Sequence, residues 1–82
     1  MADERAIIRV VAERVREARK AAGLSQEQLA FGADLDRTYI SQVERRKRNV
    51  TVVVLARIAR ALKTTPDQLL MPLRRPRSGK GD

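Results

Sequence analysis

The stretch Leu24 to Glu44, LSQEQLAFGADLDRTYISQVE, constrains this chain more than any other. Two helix-start signals stand within it, so it reads as two short helices joined by a tight turn. Ser25-Gln26-Glu27-Gln28 fits a capping box, in which a serine hydroxyl and a glutamine amide satisfy free backbone N–H groups reciprocally. Asp36 is the second N-cap candidate, with a carboxylate able to accept from the first-turn N–H groups. Leu35 before it and Ile40 after it have the spacing of a hydrophobic staple. Asp34 marks the turn, since Asp tolerates left-handed backbone better than most residues. In the second helix Ile40 and Val43 fall on one side. Arg37, Thr38, Ser41 and Gln42 lie away from it, with Arg45 one turn on. An apolar pair beneath an outward row of long or hydroxylated donors suits a helix read by a partner.

The chain has 82 residues, enough for one small core, and neither cysteine nor histidine. Disulfides, thiol catalysis and the usual zinc sets are thereby excluded. The carboxylates are scattered among basic neighbours without a recognisable pair or metal spacing, so no catalytic group, metal or cofactor is expected. Eighteen basic residues against ten acidic ones give a charge of +8. That balance points to a polyanionic partner, nucleic acid first, or else serves general solubility. No apolar run is long enough to cross a membrane. Met1-Ala-Asp-Glu lacks the basic start of a signal peptide. A cytoplasmic place, at the nucleoid, is expected.

The flanking sequence predicts three more helices. The first runs from Asp3 to Ala22 with Val11, Val15, Ala18 and Ala22 as its buried stripe, and Gly23 ends it in a left-handed conformation. Ile7 and Ile8 either extend the core or pack on a neighbouring subunit. Within the central pair, Leu29, Ala30 and Ala33 form an inner face. Gly32 costs roughly 1 kcal/mol against alanine in a helix, which a close helix crossing would explain. After the second central helix come four consecutive cations, Arg45 to Arg48, then Asn49. Beside a donor-rich helix they read as a phosphate clamp, where elsewhere they would be a solvated loop. A fourth helix follows from Thr51 as N-cap to Leu62, with Val52, Leu55, Ile58, Ala59 and Leu62 inward. VVVL alone also fits a strand, but ARIARAL decides for helix. Val53 and Val54 lie beside or outside that stripe, as a partner surface or a wider core face. Thr65-Pro66-Asp67-Gln68 opens the last helix with a capping box and a first-position proline, and Pro72 stops it. Residues 1–71 form the folded domain on this reading, and 72–82 a basic, disordered tail.

SQEQLA, a turn, then LDRTYISQVERRKRN resemble the lambda-repressor/Cro-like helix-turn-helix family, over about residues 9 to 71. LAF, LDRTYIS and ER-x-x-RN in that order look like its restriction–modification controller proteins, which are small dimeric regulators. The resemblance implies an all-α, five-helix domain whose second motif helix enters the DNA major groove while the first crosses the backbone. It places Arg37, Thr38 and Gln42 at base-reading positions, and Ser41 between them within reach of a base or phosphate. Gln26 matches a residue that contacts phosphate and braces the recognition helix. Tyr39 either bonds phosphate through its hydroxyl or packs at the helix edge. Lys47, Arg48 and Asn49 match the loop that lies along the phosphates, which the cations Arg45 and Arg46 extend on the charge reading above. Arg19 and Glu44 match a buried ion pair. Val53, Val54, Leu69 and Met71 become dimer-interface candidates.

Departures from the pattern carry expectations too. Relatives usually have glycine where Asp34 and often where Arg46 stand, so Arg46 either adopts an uncommon backbone conformation or the helix ends differently. Ala18 and Ala56 replace larger apolar residues, which predicts lighter packing there. The expected function is a sequence-specific, double-stranded-DNA-binding regulator acting as a homodimer. An antitoxin or a protein-interaction adaptor on the same fold is the alternative, with a protein partner.

Overall fold

The computed structural model describes residues 3–72. The expected tail from residue 73 on lies outside the described residues. The elements are α1 (Glu4–Ala21), α2 (Gln26–Ala33), α3 (Arg37–Glu44), α4 (Val52–Ala61) and α5 (Pro66–Leu69), with no strand among the described residues. Helix α2 packs on both α3 and α4, α1 on α3 and α5, and α4 on α5. The core is a single cluster built from Val11, Val15, Leu29, Ala30, Ala33, Ile40, Val43, Leu55, Ile58, Ala59, Leu62 and Leu69.

The start of each helix follows from its first residues. Asp3 caps α1 by accepting from the Arg5 N–H. At α2 both halves of the capping box form: Ser25 Oγ accepts from the Gln28 N–H at 3.0 Å, and Gln28 Oε1 accepts from the Ser25 N–H at 2.8 Å. Thr51 caps α4 through the Val54 N–H at 3.2 Å. Two expected caps do not close. Asp36 and Thr65 stand at the N-cap positions of α3 and α5, yet neither side chain makes a capping hydrogen bond. What holds the start of α3 is apolar: Ile40 is fully buried, and Leu35 packs on the core beside it.

Four helix ends share one device. Gly23, Asp34, Arg46 and Lys63 all have positive φ, between 58° and 72°. In each case the next residue donates back across the turn: Leu24 to Arg19, Leu35 to Ala30, Lys47 to Gln42 and Thr64 to Ala59, at 2.8–3.0 Å. This is the Schellman closure, which satisfies carbonyls that a helix end leaves free. Only Gly23 adopts it without steric cost. The expected left-handed turn at Asp34 is present, and Arg46 takes the uncommon backbone conformation rather than ending α3 differently.

The core differs from expectation in several places. Val52 lies on the α4 stripe but in its first turn, and is 80% exposed; Val54 packs on the core instead. Ala22 is exposed past the end of α1, and Ala12 is buried in its place. Ala56 faces solvent, so its small size leaves no gap in the core, while Ala18 packs at the core's margin. Leu69, expected at a dimer interface, is 1% exposed and belongs to the core: the one-turn helix α5 points it inward and leaves Leu70 and Met71 half-exposed. A Cβ on Gly32 would stand 3.4 Å from the Ala61 Cβ, so α2 and α4 do approach there, at contact distance rather than in collision.

Candidate nucleic-acid interface

Helix α3 is seated by Ile40 and Val43, both essentially inaccessible. That fixes which side chains point out. Arg37 and Thr38 are exposed, and Ser41 and Gln42 are half-buried at the edge of the same face. All four expected base-reading residues therefore share the outer side of one helix.

The far end of α3 is tied down by charge. Arg19 Nε donates to Glu44 Oε2 at 2.7 Å, and its Nη2 to Glu44 Oε1 at 3.0 Å. Its Nη1 donates to the Leu24 carbonyl at 2.8 Å, so one guanidinium joins α1, the following turn and α3. The two side chains are 13% and 4% exposed, so the pair is nearly dry. The hydrogen bond that Arg19 donates to Glu44 raises the Arg19 pKa above its ordinary value, with burial opposing and the carboxylate's charge assisting. Gln26 Nε2 also donates to Glu44 Oε1, at 3.1 Å, so Gln26 ties the start of α2 to the end of α3. Gln26 and Arg37 line one open cleft with Arg19, Ser25 and Glu27, where the starts of α2 and α3 meet.

Beyond α3 the left-handed turn at Arg46 folds the basic loop back along the helix. Arg45, Arg46, Lys47, Arg48 and Asn49 are all exposed. Arg46 leans on Glu13 of α1 at 3.5 Å, an exposed pair that orients more than it stabilises. Arg48 returns to α3: its guanidinium lies 4.5 Å from the centre of the Tyr39 ring, and it donates to the side-chain oxygen of Gln42. Tyr39 is half-buried and packs against the core. The clasp of Arg48 on Gln42 was not legible in the sequence, because residues six apart share no helical face.

A separate set of apolar side chains is exposed. Val53 is 67% exposed, beside Val52 on α4, and Ile7, Leu70 and Met71 are about half-exposed. Ile7, Val10, Leu70 and Pro72 line one open groove with Ala6, Arg9 and Glu13. Phe31, on α2, is 88% exposed and stands apart from every expected role. No cluster of three metal-binding side chains occurs among the described residues, and no described helix is long and apolar enough to cross a membrane.

Comparison with known proteins places this arrangement. A helix-turn-helix family profile matches residues 15–69. The control protein C.SmaI of Serratia marcescens is 51% identical over 61 residues, covering 74% of this chain and 73% of that protein. The crystal structure of the restriction-modification controller protein C.AhdI from Aeromonas hydrophila superposes with a TM-score of 0.75 at 47% identity, over 78% of this chain and 97% of that one. The C.Esp1396I controller tetramer, solved in complex with its natural 35 base-pair operator, superposes with a TM-score of 0.72 at 35% identity, over 77% of this chain and 83% of that one.

Proposed function

The chain belongs to the helix-turn-helix family, and from that premise we propose that it is a sequence-specific DNA-binding transcription regulator of the restriction–modification controller type. It binds double-stranded operator DNA as a homodimer, with α3 in the major groove and two half-sites about one helical turn apart. The observation that carries this reading is the outer edge of α3. Ile40, Val43 and the Glu44 ion pair hold that helix rigidly, while Arg37, Thr38, Ser41 and Gln42 face outward beside five polar or cationic loop residues. A rigid helix with donors on its free face can read base edges, because arginine pairs with guanine O6 and N7, and a free glutamine with adenine N6 and N7. The operator-bound tetramer of C.Esp1396I, a relative of the same fold, supports the DNA partner.

The loop supplies affinity. Arg45, Arg46, Lys47, Arg48 and Asn49 lie along the phosphates, together with Gln26 and the Tyr39 hydroxyl. The exposed valines of α4, with Met71 and Leu70, form the dimer contact. The chain's part is binding, with no catalytic step. Selection from a randomised duplex pool tests the reading. A palindromic sequence should be enriched, and the double substitution Arg37→Ala, Gln42→Ala should abolish that enrichment; a pool left unenriched by the unaltered protein sinks the proposal.

A further inference from the structure

Gln42 and Arg48 meet because of backbone geometry. The left-handed residue Arg46 reverses the chain after α3, and the Lys47 N–H closes that turn on the Gln42 carbonyl at 2.8 Å. Arg48 then runs back beside the helix. Its Nε and Nη2 donate to Gln42 Oε1 at 3.2 and 2.8 Å. Its guanidinium plane rests over the Tyr39 ring, 4.5 Å from the centroid, which removes much of its rotational freedom. Arginine has donors only, so the atom that Gln42 turns towards it is the carbonyl oxygen. Both N–H groups of that guanidinium edge converge on the oxygen and hold it turned towards Arg48. The amide nitrogen is left with its donors directed elsewhere.

This matters for what Gln42 can read. A free glutamine reads adenine by two bonds, accepting from N6 and donating to N7. A clasped glutamine has its acceptor engaged by Arg48. What it offers a base is its amide N–H groups, and the base edge with two acceptors in the major groove is guanine, through O6 and N7. Cytosine presents an amino donor and is repelled. Resting on the reading of α3 as the base-reading helix, we propose that Arg48 is a specificity-determining residue that acts through Gln42. It holds the amide as a pure donor, so that α3 selects an acceptor base, guanine before adenine, at the position Gln42 faces.

The test begins with the sequence the unaltered protein selects. The base pair that loses its preference in Gln42→Ala is the one Gln42 reads. Duplexes carrying guanine or adenine there are then titrated with the unaltered protein and with Arg48→Ala. The unaltered protein should prefer guanine, and Arg48→Ala should move the guanine-to-adenine ratio towards adenine by roughly 5- to 100-fold, the span of one good bidentate contact. Arg48→Lys should recover the affinity common to all duplexes but not the ratio, since an ammonium lacks the planar fork. Tyr39→Phe, which keeps the ring under Arg48 and removes only the phosphate-facing hydroxyl, should lower affinity for all duplexes alike and leave the ratio unchanged. An unchanged ratio in Arg48→Ala overturns the proposal, whatever happens to overall affinity, because Arg48 then contacts phosphate alone. So does a Gln42→Ala protein that keeps every base preference. That second outcome leaves the regulator reading intact, whereas failure to select any sequence removes both.

Discussion

Arg19 and Glu44 are 25 residues apart, yet they form a two-pronged ion pair with N–O distances of 2.7 and 3.0 Å in a nearly dry setting. The pair fastens the last residue of α3 to α1. A charge removed from such a site leaves its partner buried and uncompensated. Glu44→Ala should therefore destabilise the protein by about 3–5 kcal/mol, read from urea unfolding. Gln26 loses its acceptor in the same variant, so the cost should exceed that of Gln26→Ala, about 1 kcal/mol for one hydrogen bond. Equal costs for the two variants would mean that the ion pair adds nothing beyond a single hydrogen bond. The raised Arg19 pKa means that this group's share is present at ordinary pH and is lost only as pH climbs through the folded value, far into alkali.

Lys63 occupies the left-handed region at φ 60°, where a side chain is strained and glycine is not. Its neighbours make no contribution to the proposed DNA face. Lys63→Gly should stabilise the protein by about 0.5–1 kcal/mol without altering DNA binding, as thermal unfolding and a duplex titration will read. Arg46→Gly should gain similar stability at φ 63° but bind every duplex more weakly, since it removes a cation from the phosphate-facing loop.

Gly32 meets Ala61 at ordinary contact distance, 3.4 Å for an added Cβ. Gly32→Ala should therefore keep most of the helix-propensity gain and stabilise by about 0.5–1 kcal/mol in chemical unfolding. Gly32→Leu should lose that gain. Destabilisation by alanine would mean that α2 and α4 cannot yield even slightly.

Val53 is exposed on a helix whose inner face is fully occupied. Val53→Glu should leave helicity and unfolding temperature nearly unchanged, because the residue is mostly exposed and outside the core in one protomer. Sedimentation should show the dimer shifted to monomer, with operator affinity falling at least about tenfold because the second half-site is no longer engaged by a linked subunit. A dimer of unaltered strength would place the contact elsewhere.

Much of this architecture was written in local residue choices. Ser25 with Gln28 announces a cap that closes as expected, and the 3.6-residue spacing of Leu55, Ile58, Ala59 and Leu62 marks the inner face of α4. Where the reading failed, the missing information was tertiary. Val52 satisfies the periodicity, but periodicity cannot say which first-turn residue the rest of the fold covers, and Val52 is 80% exposed. Asp36 and Thr65 have capping side chains, yet a rotamer decides whether the bond forms, and Leu35 with Ile40 already holds α3. Leu69 was misplaced because a four-residue helix has no period from which to tell inside from outside. The Arg19–Glu44 pair was legible only through resemblance, and the Arg48 clasp on Gln42 depends on a left-handed residue that no sequence spacing encodes.

Lys47 sits on the exposed loop and Arg37 on the outer edge of α3, and they separate affinity from specificity. Lys47→Ala should weaken binding to operator and unrelated duplex alike. It should also reduce the salt slope by about 0.9, the value for one phosphate that the protein no longer neutralises.

The central claim is that the outer edge of α3 reads bases. It is tested most directly by titrating the selected operator and a scrambled duplex at one fixed salt concentration, with the unaltered protein and with Arg37→Ala. The expected result is that Arg37→Ala lowers the operator-to-scrambled affinity ratio by roughly 5- to 100-fold per half-site while affinity for the scrambled duplex falls far less. A ratio that stays the same, with both affinities falling together, would show that Arg37 touches only phosphate and that α3 does not read the sequence.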